Sequence, residues 1–157
     1  MRTLLLGMGN PIAMDDAVGL RLARHLGERL ARPGFDVVDD CAVGGLEILP
    51  VIEGYERLVV LDAIKTRGGV PGEWYHFTAD RLAETLHLTN VHDTNFATAL
   101  ALGRRLGMAL PRDGEIHVFA VEIKEDLELS ERMSPELEAA WPQYAGEILA
   151  AVAELLA

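Results

Sequence analysis

The stretch LVVLDA, Leu58–Ala63, is an apolar run broken only by Asp62 near its end. A strand with one wet face alternates apolar and polar side chains, whereas an unbroken run belongs to a strand covered on both faces. Covering both faces takes helices above and below, and the flanking sequence supplies them. Val18, Leu22, Ala23, Leu26 and Leu30 recur at helical spacing between Asp16 and Leu30, and Pro33-Gly34 stops that run. Further helices are expected over Leu46–Ile52, Arg81–Leu86 and Thr94–Leu106. A last one begins at Ser134-Pro135, with Ser134 as N-cap and a break or kink expected at Pro142.

Shorter apolar runs at Leu4–Leu6, Phe35–Val38, Glu73–Phe77 and Ile116–Glu122 read as four more strands. Glu73–Phe77 follows the turn-rich GGVPG and is expected at an edge or in a hairpin. Strands alternating with helices define an α/β fold. The expectation is a three-layer sandwich, with a twisted, mostly parallel five-stranded sheet and helices on both faces. With no repeat or linker in view, residues 1–157 read as one domain.

The formal charge of −11 excludes nucleic acid and anionic membrane surfaces as main partners, and suits a cation or a basic peptide. No apolar stretch approaches the roughly 18–20 residues of a membrane span. One cysteine, Cys41, leaves no intramolecular disulfide, as fits a reducing compartment, and the cytoplasm is the expected location. Cys41 has no evident histidine partner and reads as a packed thiol.

In parallel sheets ligands gather beyond the carboxyl ends of the strands. There the chain places GMGNPIAMDD, residues 7–16. Gly7 and Gly9 match the start of a dinucleotide fingerprint, but Ile12 stands where a third small residue belongs, and no P-loop lysine follows. Asp15 and Asp16 lie at the positive end of a helix, where a carboxylate is stabilised and a phosphate would be repelled. One cap needs one aspartate, so Asp15 is expected to cap the helix, while Asp16 is either a second carboxylate of the helix start or a site residue. Asp62 ends its strand as a buried carboxylate that must find a hydrogen bond or a cation. His92 lies in the polar loop HLTNVHDTNF, ahead of a helix. Two carboxylate oxygens and one imidazole suit a divalent first-row metal. Glu122, at the end of its strand, is either a fourth donor or a rim residue facing water. No Ser-His-Asp or Cys-His arrangement is evident, so covalent catalysis is not expected.

These motifs resemble the maturation proteases of nickel–iron hydrogenases. The resemblance runs through GMGNPIAMDDAVG at 7–19, DDCAVGGLEIL at 39–49, VVLDA at 59–63, VPGEWYHF at 70–77 and the His92 segment. It implies an endopeptidase that removes a C-terminal peptide from the precursor of a hydrogenase large subunit after nickel insertion. It further implies that Asp16, Asp62 and His92 are the metal-contacting and catalytic residues. The nickel would be presented by the substrate, and the protease would act as a monomer. A nucleotide- or anion-binding module and a nickel chaperone that cuts nothing are the competing readings.

Overall fold

A computed structural model describes residues 1–41, 45–81, 91–124 and 129–157, without the side chains of 45 and 91–95. The strands are β1 (Thr3–Met8), β2 (Phe35–Cys41), β3 (Arg57–Ile64), β4 (Trp74–Thr78) and β5 (Ile116–Glu122). They form one sheet in the order β2-β1-β3-β5-β4. The first three pairings along it are parallel, and β4 joins β5 antiparallel as an edge strand. The LVVLDA run thus lies on the central strand. A parallel neighbour on each side and helices above and below leave its interior no access to water, which is why the sequence does not alternate there.

The helices are α1 (Val18–Arg29), α2 (Leu49–Ile52), α3 (Val91–Arg105) and α4 (Pro135–Leu156). α1 and α4 cover one face, packing Val18, Leu22, Leu26, Tyr144, Ile148 and Val152 on Leu5, Val59, Leu61, Phe119 and Val121. α2 and α3 cover the other, where Ile48, Ile52, Phe96 and Leu100 meet Leu4, Leu6, Leu58, Val60, Val118 and Ala120. Alternation along β3 and β5 then puts Asp62 and Glu122 on the α2/α3 face.

α1 lies unusually close to the sheet, and glycines permit it. A Cβ on Gly19 would overlap the backbone oxygens of Leu61 and Met8, and one on Gly7 would lie 2.6 Å from the Ala23 Cβ. Gly19 therefore does the close helix–strand packing that a third fingerprint glycine performs elsewhere. The missing small residue at position 12 costs the fold nothing.

Several expected boundaries shift. A 3₁₀ turn over Met14–Ala17 precedes α1, and another over Gly45–Ile48 leads into α2. α3 begins at Val91 rather than Thr94, so His92 stands in the first helical turn and not in a loop before it. The helix expected over Arg81–Leu86 falls, beyond Arg81, outside the described residues. No break interrupts α4 at Pro142. α4 is continuous, because Leu137, Tyr144, Ile148 and Val152 on either side of the proline are buried in one core.

Candidate active site

β1 and β3 are neighbours, and Gly7 pairs with Leu61, so the loop after β1 rises beside the end of β3 that carries Asp62. Asp62 is 1% exposed, and its Oδ1 accepts the N–H of Ala63 at 2.8 Å. A carboxylate so placed is oriented by the backbone it sits on. Asp62 also shares a register row with Ala120 on β5 and, through it, with Tyr75 on β4.

The Met14–Ala17 turn packs against β3 and carries Asp16 to the same edge. Asp16 is half-buried, and its Oδ2 accepts the Asn10 N–H at 2.9 Å. Asn10 in turn accepts the Ile12 N–H through Oδ1 at 3.1 Å, closing an Asx turn. Gly9 has φ 147°, and a Cβ there would overlap the Asp16 carbonyl oxygen. The glycine motif therefore wraps an aspartate where a phosphate would otherwise sit, and the nucleotide reading loses its ligand.

His92 lies on α3, which covers the face on which Asp62 lies. Its side chain, and with it the completed set of Asp16, Asp62 and His92, falls outside the described residues. Among the described residues no three His, Cys, Asp or Glu side chains form a metal-sized cluster.

Asp15 is not the helix cap that its position suggested. Ala13 and Ala17 occupy the N-cap positions of the 3₁₀ turn and of α1, and neither makes a side-chain cap. Asp15 is fully buried and accepts the Ser134 N–H at 2.6 Å, the Ser134 hydroxyl at 2.7 Å and the Lys124 N–H at 3.1 Å. Ser134 is the N-cap residue of α4 by position, but its hydroxyl goes to Asp15 instead of capping the helix.

Glu122 does not face water either. It is 1% exposed and accepts the Thr66 N–H at 2.7 Å, the Thr66 hydroxyl, and the Tyr75 hydroxyl at 3.2 Å. A Cβ on Gly69 would overlap its Oε1, which is why the loop between β3 and β4 needs glycine there. Burial pushes the Tyr75 phenol above its usual range, and the neighbouring Glu122 charge adds to this. Glu122 thereby fastens the loop that begins just after Asp62. Sequence reasoning missed this clasp, though the glycines of RGGVPG marked a chain passing close to something. Cys41 is a packed thiol as expected, 6% exposed, with its carbonyl accepting the Gly9 N–H at 3.2 Å.

Comparison with known proteins places this arrangement. Residues 20–151 match the family model described as HycI, hydrogenase maturation protease. The chain is 28% identical over 156 residues to the hydrogenase 2 maturation protease of Escherichia coli, covering 98% of this chain and 92% of the relative. It is 30% identical over 155 residues to the hydrogenase expression/formation protein HupD of Rhodobacter capsulatus, covering 98% and 69%. Among solved structures it is similar to the maturating endopeptidase HybD of E. coli, with TM-score 0.79, 25% identity, and coverage of 98% and 93%. It is similar also to HybD of Thermococcus kodakarensis, a [NiFe] hydrogenase maturation protease, with TM-score 0.71, 30% identity, and coverage of 100% and 99%. A five-stranded, mostly parallel sheet, two carboxylates at its carboxyl edge and these matches agree: the chain belongs to the hydrogenase maturation protease family, a hydrolase acting in hydrogenase maturation.

Proposed function

We propose that this protein is the endopeptidase that removes a C-terminal peptide from the precursor of a nickel–iron hydrogenase large subunit after nickel insertion. The observation that carries the reading is the delivery of Asp16 and Asp62 to one sheet edge, each held by a backbone N–H. α3, whose first turn carries His92, covers the same face as Asp62. Backbone donors orient a carboxylate without cancelling its formal charge, which suits it to meet a cation.

In this reading Asp16, Asp62 and His92 face the nickel, which belongs to the substrate and marks the precursor as loaded. Hard oxygens and an imidazole are the donor set such an ion accepts. The ion can polarise the scissile carbonyl as a Lewis acid, and Asp16, in the less buried position, can serve as general base for the attacking water. The protease works as a monomer in the cytoplasm. Among the described residues no helix is long and apolar enough to cross a membrane.

Mass spectrometry of a nickel-loaded precursor before and after incubation tests the reading. A single C-terminal truncation that requires nickel is the expected result. An intact C-terminus across hydrogenase precursors, with the protein bound to them, would instead make it a nickel chaperone.

A further inference from the structure

We propose that Asp15 is a positioning residue: its buried carboxylate pins the Met14–Ala17 turn to the start of α4 and so aims Asp16 into the cleft. The proposal rests on the reading of Asp16 as a site residue. Successive residues of a 3₁₀ turn point about 120° apart. The two adjacent aspartates therefore face different directions, one inward and one toward the cleft, and holding either one sets the other.

Asp15 is held from far along the chain. Its donors lie 109 and 119 residues away, at Lys124 and Ser134, and the Ser134 N–H stands at the amino end of α4. A buried carboxylate is tolerated where hydrogen bonds replace its water, and the two oxygens here take three donors. The same distant segment grips the backbone just before the turn. Ser130 donates to the Ile12 carbonyl at 2.8 Å, its own carbonyl accepts the Met14 N–H at 3.0 Å, and Ala13 bridges to it. Met14 is held at φ 48°, a left-handed conformation that a residue with a side chain adopts only under constraint. Strain of this kind persists where the surroundings fix the chain from several sides. On the cleft side, Asp16 is engaged by Asn10 and by the close approach of Gly9. The turn is thus suspended between the glycine loop and the connection into α4, with Asp15 as its link to the latter.

A carboxylate suits the three described partners, each of which donates. In Asp15→Asn one oxygen is replaced by an NH₂ that faces N–H and O–H donors, whereas Ser134→Ala removes one donor only. The Asn10 amide reports the aim of Asp16 directly, since it donates to Asp16 Oδ2. In ¹⁵N-resolved spectra of the full chain, Asp15→Asn is expected to move the Asn10 amide proton upfield. Its hydrogen exchange should quicken about 10-fold, while Leu61 and Val121 keep their protection. With nickel-loaded precursor, kcat should fall roughly 10²-fold at unchanged KM, and Ser134→Ala should do the same more weakly. An unmoved Asn10 amide in folded Asp15→Asn overturns the proposal. So does an unchanged kcat in that variant when Asp16→Asn is inactive. Wild-type kcat in Asp16→Asn refutes the site reading instead, and the Asn10 signal still reports whether Asp15 sets the turn. Should Asp15→Asn fail to fold, Ser134→Ala decides by the same two readouts.

Discussion

The two edges of the sheet handle their buried charge differently. At the amino edge opposite charges meet: Arg57 Nε lies 2.8 Å from a Glu115 carboxylate oxygen, with both side chains about three-quarters or more buried. Arg57 and Arg32 also donate to the last carbonyls of α4, at Leu155 and Leu156, at 2.9 and 3.0 Å. Those carbonyls have no partner within the helix, so the guanidinium groups satisfy them and complement the helix dipole. At the carboxyl edge the carboxylates of Asp15, Asp16, Asp62 and Glu122 take N–H and O–H donors. The first edge is closed by compensation and serves stability. The second also carries an exposed ion pair, Lys124 with Glu136 at 2.6 Å, but its buried carboxylates are oriented by N–H and O–H donors.

Asp62→Asn breaks the comparison most severely. It is nearly isosteric at a buried position, so the fold should persist while precursor processing, followed by mass spectrometry, falls roughly 10²-fold or more. Full processing in a folded Asp62→Asn protein would remove the carboxyl edge from the chemistry. Glu122→Ala should cost both stability and rate. The Thr66 N–H and hydroxyl lose their acceptor, worth about 1–3 kcal/mol in urea unfolding, and the loop after Asp62 loosens. Glu122→Gln keeps one acceptor and should cost less.

Arg57→Ala sharpens the contrast from the other side. A loss of about 1–2 kcal/mol of stability is expected, with kcat and KM for the precursor unchanged. A large fall in kcat would mean that the two edges are coupled through α4. The smallest effect concerns His76 and His117, whose rings meet with Nε2 3.0 Å from Nδ1. Burial lowers both pKa values below 6.5, and in His117 the neighbouring His76 and Arg57 lower it further while Glu115 opposes them. The folded state therefore binds fewer protons than the unfolded chain as pH falls below about 6.5, and stability declines there. Urea midpoints should drop from pH 7 to pH 5, and His117→Gln should flatten that slope. An unchanged slope in the variant would assign the acid sensitivity to other groups.

Much of this was legible in the chain. The apolar run at Leu58–Ala63 puts β3 at the centre, and the IHVFAVE segment coincides with β5 end to end. Asp62 could be located because a lone charge in an apolar strand is conspicuous. Polar residues at a helix start resemble a loop, which sets His92 ahead of a helix that in fact begins one residue before it. A related reason hides the role of Asp15. Aspartate before a helix is most simply a cap, and nothing local reveals an acceptor pulled inward by Ser134 and Lys124.

Periodicity and turn chemistry are local, and by themselves they determined the order of elements, the central strand and the edge where acidic residues collect. Which carboxylate faces the core and which faces the cleft was decided only by the tertiary structure. A buried polar group takes whatever donor the fold brings to it. For Asp15 that donor lies 119 residues along the chain, beyond the reach of any sequence window.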